Sequence, residues 1–113
     1  MTVPGRGALR AAAVLLALAA AGCAGAERAP RAHAVEIAAF VYRPAELAVA
    51  PGDTVVFTNR DPVPHTATAA DGSWDSGSLA KDASWRLVVP ENGIGAYRCA
   101  FHPNMAATLT RGD

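Results

Sequence analysis

From Val35 onward the chain is written in short alternating segments cut by proline and glycine, and that grammar allows strands and little else. Residues 35–40 (Val-Glu-Ile-Ala-Ala-Phe) alternate apolar with polar or small, and Tyr42 followed by Pro44 bends or ends the run. Residues 45–50 alternate again. Pro51-Gly52-Asp53 is a turn signal, because proline presets φ and glycine takes the conformation other residues resist. Residues 54–59 (Thr-Val-Val-Phe-Thr-Asn) are β-branched and aromatic, the strongest strand signal present. Asp61-Pro62-Val63-Pro64 is a rigid approach to residues 65–70, and residues 71–83 are turn-rich. Residues 84–89, 96–99 and 106–111 complete the set. No helical period survives. The spacing predicts an all-β fold, an antiparallel sandwich of two sheets with about seven strands.

The first residues obey a different rule. Arg6 and Arg10 precede an apolar run over residues 11–21, which has the length of an export-signal core and is too short to span a bilayer. Two processing readings stand open. Leu18-Ala19-Ala20-Ala21-Gly22-Cys23 is similar to a bacterial lipoprotein box, making Cys23 a lipidated first residue and a membrane attachment, although Ala20 stands where leucine is usual. Alternatively, a signal peptidase cuts after Ala24-Gly25-Ala26 or after Ala32-His33-Ala34, releasing a soluble exported protein. The expected organisation is a signal over 1–23, a flexible tether over 24–34 with a solvated His33, and a folded domain over 35–113. Either route places the domain outside the cytoplasm, in the periplasm, on the outer face of the membrane, or secreted.

The residues with reactive or metal-binding chemistry are few and gathered. Cys99 is the one cysteine beyond the signal region, Met105 the one methionine beyond the initiator, and two of the three histidines are His65 and His102. Cys99, His102 and Met105 share one short run, and His65 is a distant partner. A thiolate and two imidazoles make a strong trigonal set, with the thioether as a weak axial ligand, which suits one copper ion cycling between Cu(I) and Cu(II). Zinc competes for cysteine and histidine, but a thioether does not suit its tetrahedral sites. A Cys23–Cys99 disulfide is the alternative fate of the thiol, and it would destroy the centre.

The composition excludes several classes. The chain balances 10 basic against 10 acidic residues, and losing Arg6 and Arg10 leaves eight against ten, so no basic stripe exists for nucleic acid. No nucleophile–base pair or phosphate loop is visible, and four ligands leave no open position for a substrate, so the expectation is not an enzyme. Trp74 and Trp85 are expected to pack the sandwich, and Asp71, Asp75 and Asp82 to form a solvated loop face.

Three runs carry a family resemblance. Val49-Ala50-Pro51-Gly52-Asp53-Thr54-Val55-Val56, Asn59-Arg60-Asp61-Pro62-Val63-Pro64-His65-Thr66, and Gly95-Ala96-Tyr97-Arg98-Cys99-Ala100-Phe101-His102-Pro103-Asn104-Met105 resemble the cupredoxins of plastocyanin/amicyanin/pseudoazurin type. The short spacing from His102 to Met105 is similar to that of amicyanins. The resemblance implies a Greek-key β-sandwich and a type 1 copper site, with His65, Cys99 and His102 as strong ligands and Met105 axial. It implies a monomeric electron-transfer protein whose redox partners dock near His102. Copper buffering or delivery outside the membrane is the alternative use of the same ligands. Two positions depart from the family: Thr66, where asparagine often braces the ligand loop, and Ala107, where glycine is common.

Overall fold

The computed structural model describes residues 28–112. Eight strands run in the order β1 (Ala32–Ala38), β2 (Val41–Arg43), β3 (Glu46–Val49), β4 (Thr54–Asn59), β5 (Thr68–Ala69), β6 (Ser84–Val88), β7 (Ala96–Arg98) and β8 (Ala106–Arg111). They form two four-stranded sheets, ordered β2-β1-β4-β6 and β3-β8-β7-β5. The all-β sandwich is the expected one. The expected antiparallel pairing is corrected in two places, because β1 pairs β4 in parallel and β3 pairs β8 in parallel. The reason lies in the path: after β2 the chain crosses to the second sheet to make β3, then returns and lays β4 beside β1 in the same direction.

Strand alternation does the packing. Along β4, Val55, Phe57 and Asn59 are buried, whereas Thr54, Val56 and Thr58 are half-buried. Phe57 faces Trp74 and Trp85 at ring-centroid distances of 5.8 and 6.1 Å, and meets the edge of Tyr97 at 5.5 Å. Burying a ring of this size contributes roughly 2–3 kcal/mol. Tyr97 in turn packs edge-on against Tyr42 at 4.8 Å, joining the two sheets. Trp74 is buried with its indole N–H donating to the Gly93 carbonyl at 2.9 Å, and Trp85 packs partly buried against the core, so both tryptophans fill the sandwich as expected.

The run expected as one strand over 35–40 reverses instead. Ala39 and Phe40 both adopt left-handed backbone, with φ of 53° and 61°, and make the two-residue hairpin turn between β1 and β2. Residues with a Cβ resist that conformation by roughly 1 kcal/mol each. The Asp61 carboxylate offsets the cost by accepting the Ala39 amide at 2.6 Å and the Phe40 amide at 2.8 Å. The stabilising group lies in another loop, so no local glycine or asparagine announces the turn.

The tether boundary is corrected too. Ala32, His33 and Ala34 are strand residues that pair with Thr54, Val55 and Val56. His33, expected in solvent, places Nε2 2.8 Å from Asp53 Oδ2. Asp53 is only 1% exposed and needs donors. Besides His33 it binds both Arg28 guanidinium nitrogens at 3.0 Å, the Arg31 amide at 2.9 Å and the Ala50 amide at 3.1 Å. The Arg28 guanidinium, opposed by burial and helped by these other donors, holds the Asp53 carboxyl well below the usual carboxylate range. Residues 1–23 and 24–27 of the signal and tether expectations lie outside the described residues.

Asp53→Ala leaves Arg28 and two amides without their buried acceptor, and is expected to lower the urea unfolding free energy by about 3 kcal/mol. The folded carboxyl lies below its ordinary value of 3.8, so its contribution is complete above that value and drains as the pH falls below it. A urea series from pH 7 down to pH 3 therefore shows a flatter acid loss in Asp53→Ala than in the wild type. Parallel curves would contradict the role assigned to Asp53.

Candidate metal centre

The centre is assembled at the end of β4 away from Asp53. Asn59, the last residue of β4, donates from Nδ2 to the Val63 and Leu79 carbonyls, both at 2.9 Å, and its Oδ1 accepts the Asp61 amide at 2.9 Å. The proline-stiffened loop is thereby closed onto the strand that precedes it. His65 follows, exchanging backbone hydrogen bonds with Leu79 at 3.2 and 2.8 Å. Its Nε2 lies 2.8 Å from Asp61 Oδ2. A carboxylate only accepts, so Nε2 carries the hydrogen and Nδ1 presents its lone pair inward. Burial would raise the Asp61 carboxyl, but the Phe40 amide, the His65 imidazole and the Ala39 amide outweigh it and hold the group below its ordinary value.

Cys99 follows directly on β7, fully buried and free of any disulfide among the described residues. Its amide donates to the Met105 carbonyl at 3.1 Å, and the Met105 amide donates to the His102 carbonyl at 2.8 Å. The run from 99 to 105 is therefore a closed loop whose two ends are bonded. The Thr66 amide donates to Cys99 Sγ at 3.3 Å. Thr66 also supplies the brace its departure from the family put in question: its hydroxyl accepts the Ala100 amide at 2.8 Å. Ala107 causes no conflict, since it is an ordinary β8 residue opposite Tyr97 with its methyl buried.

The structure brings His65, Cys99 and His102 together. Their ligand atoms all lie within 4.8 Å of one another, with His65 and Cys99 buried and His102 half-buried. Sγ is 3.9 Å from His65 Nδ1 and 3.5 Å from His102 Nδ1. A first-row metal bound at about 2.1 Å to nitrogen and about 2.3 Å to sulfur in a trigonal plane needs sulfur–nitrogen separations of about 3.8 Å. The two observed separations, 3.9 and 3.5 Å, lie within a few tenths of an ångström of that value. Met105 is buried in the same loop and lines, with His102 and Phe40, one recess at the surface. Cys23 lies outside the described residues.

Asp61 and Phe40 belong to the site although sequence reading gave them no role. The Phe40 ring stands edge-on to both imidazoles, 4.9 Å and 80° from His65 and 5.0 Å and 79° from His102. Half exposed, it shields the two rings that would hold the metal. The usable sequence signal was an aspartate four positions before a histidine in a proline-bounded loop. Nothing local marks Phe40, because its place depends on the distant Asp61 carboxylate. The three loop aspartates are not a carboxylate pair: Asp71 caps the Ser73 amide, Asp75 accepts from Thr68 and Gly77, and Asp82 meets Arg60.

Amicyanin from Paracoccus denitrificans is 36% identical to the chain over 87 residues, which cover 73% of this chain and 66% of that protein, just under two thirds of its length. Among solved structures, a reduced amicyanin carrying a single substitution superposes with a TM-score of 0.62 at 32% identity, covering 72% of this chain and 82% of the other. The chain belongs to the amicyanin-like cupredoxins. A purple cupredoxin from Nitrosopumilus maritimus superposes with a TM-score of 0.60 at 28% identity, over 71% of this chain and 99% of that one. No protein-family model matches the chain. Membership makes copper the cofactor of this cupredoxin, and the His65, Cys99 and His102 cluster fits a single ion.

Asp61→Ala frees Nε2 of His65 and the amides of Ala39 and Phe40 together. A competition titration with a copper chelator is expected to show affinity reduced roughly 10- to 100-fold. Unchanged affinity would mean that the His65 orientation is set elsewhere.

Proposed function

We propose that this cupredoxin is an extracytoplasmic electron carrier, acting as a monomer and not as an enzyme, with His65, Cys99 and His102 as equatorial ligands and Met105 as the axial one. The observation that carries the reading is the preformed donor set: Sγ lies 3.5 and 3.9 Å from two imidazole nitrogens, the His65 ring is held by Asp61, and the loop carrying Cys99 and His102 is closed by its own backbone bonds. Copper in such a site supplies one-electron redox chemistry. The chain's part is to hold three donors in nearly one geometry for both oxidation states, which keeps reorganisation small. The His65 and Cys99 donors are buried and braced, which favours retention over copper delivery to an acceptor.

His102 is the half-buried ligand, and Phe40, Phe101, Pro103 and Asn104 surround it at the surface. Phe40 and Phe101 are 47% and 52% exposed, an apolar rim around the ligand edge. Redox partners would dock on this rim and exchange electrons through the His102 ring.

For export, we propose a mature chain that begins at lipidated Cys23. A cut after Ala34 would remove three β1 pairings with β4 and strip Arg28 and His33 from buried Asp53, which disfavours that alternative. Anchored in this way, the domain would work at the outer face of the cytoplasmic membrane.

Addition of Cu(II) to the full chain is expected to produce an intense visible band that ascorbate bleaches and ferricyanide restores. Cys99→Ser abolishes it, and Met105→Leu keeps it while raising the potential. An equally intense band in Cys99→Ser would overturn the ligand assignment. Cell fractionation checks the anchor separately: Cys23→Ala moves the protein from membranes to the soluble fraction, and unchanged fractionation would sink lipidation.

A further inference from the structure

Thr66 has one hydroxyl hydrogen, and where it goes decides how firmly this side chain is held. Its Oγ1 accepts the amide of Ala100, the peptide immediately after Cys99, at 2.8 Å. The same oxygen lies 2.8 Å from Thr68 Oγ1, and Thr68 Oγ1 lies 3.0 Å from Asp75 Oδ1. An ionised carboxylate accepts and never donates, so Thr68 gives its hydrogen to Asp75. Thr66 is then the donor to Thr68. Every bond in the series has one direction: Ala100 N–H to Thr66, Thr66 O–H to Thr68, Thr68 O–H to Asp75. The terminal acceptor is itself fixed, because Asp75 Oδ1 takes the Gly77 amide at 2.9 Å and Thr68 and Asp75 form an isolated β-bridge.

We propose that Thr68 and Asp75 are positioning residues of the copper centre, forming with Thr66 a hydrogen-bonded brace that fixes the ligand loop and lowers its reduction potential. The inference rests on the electron-carrier reading. Three bonds aligned head to tail polarise one another, and the last is charge-assisted. All the hydroxyl hydrogens point away from the loop, so the series turns an oxygen end, backed by a carboxylate, toward the Ala100 peptide. Negative potential there favours Cu(II) over Cu(I), which is the less positive ion. Thr66 meanwhile donates its own amide to Cys99 Sγ at 3.3 Å, so one residue holds the thiolate and the peptide that follows it. Asparagine at this position would need no such chain. Threonine, with a shorter side chain and one hydrogen, passes the load outward to a surface carboxylate.

The test uses the full chain, metal-free and copper-loaded, with Thr68→Val, Thr68→Ser, Asp75→Asn and Asp71→Asn. Amide exchange at Ala100 in the metal-free chain is expected to be about fivefold faster in Thr68→Val and unchanged in Thr68→Ser. The potential rises in Thr68→Val and in Asp75→Asn, and stays at the wild-type value in Thr68→Ser. Asp71→Asn, which removes an exposed carboxylate of the same loop with no link to Thr66, leaves both readouts alone. Wild-type exchange and potential in Thr68→Val would overturn the proposal, as would equal potential shifts in Asp71→Asn and Asp75→Asn. A wild-type chain that forms no coloured copper centre would defeat the carrier reading, and the metal-free exchange rates would still decide whether the brace exists.

Discussion

The carboxylate of Asp61 connects parts of the molecule that have no other reason to stay together. It accepts two amides of the hairpin turn between β1 and β2 and the Nε2 hydrogen of His65. One buried anion thus makes a strained turn affordable, chooses the histidine tautomer, and seats the Phe40 ring on both imidazoles. Its removal would disturb the turn, the ligand and the shielding ring at once. Such groups are costly to bury and become stabilising only when fully bonded, and Asp61 meets that condition.

Asp53 stands at the other end of the same strand. β4 spans about 20 Å between the two aspartates at roughly 3.3 Å per residue, so one end holds the N-terminal segment and the other the metal centre. The separation matters for the proposed lipid anchor. A membrane anchor entering ahead of Arg28 would attach at the pole away from His102, leaving the apolar rim of Phe40 and Phe101 turned toward partners. The aromatic packing of Phe57, Trp74 and Tyr97 lies between the poles and keeps them at a fixed distance.

The β-class, the turn at Pro51-Gly52 and the convergence of His65, Cys99 and His102 were legible because each depends on local pattern or on rare residue types in a tight run. The turn at Ala39 and Phe40 was not, because its stabilising group lies in another loop. His33 read as a solvated tether residue, since nothing near it in sequence reveals a buried carboxylate 20 residues further on, past β2 and β3. Parallel pairing of β1 with β4 was hidden for a related reason: alternation defines faces, whereas direction depends on which sheet each connection crosses to. What sequence pattern misses here is mostly carried by side chains that act on distant backbone.

The proposed carrier role requires the protein frame to hold the donor set in one geometry before and after electron transfer. X-ray absorption at the copper edge, recorded on the loaded full chain in both oxidation states, addresses it most directly. One short sulfur and two nitrogen scatterers are expected in Cu(II) and in Cu(I), with distances that change little between them. Loss of a nitrogen or of the sulfur on reduction would contradict it.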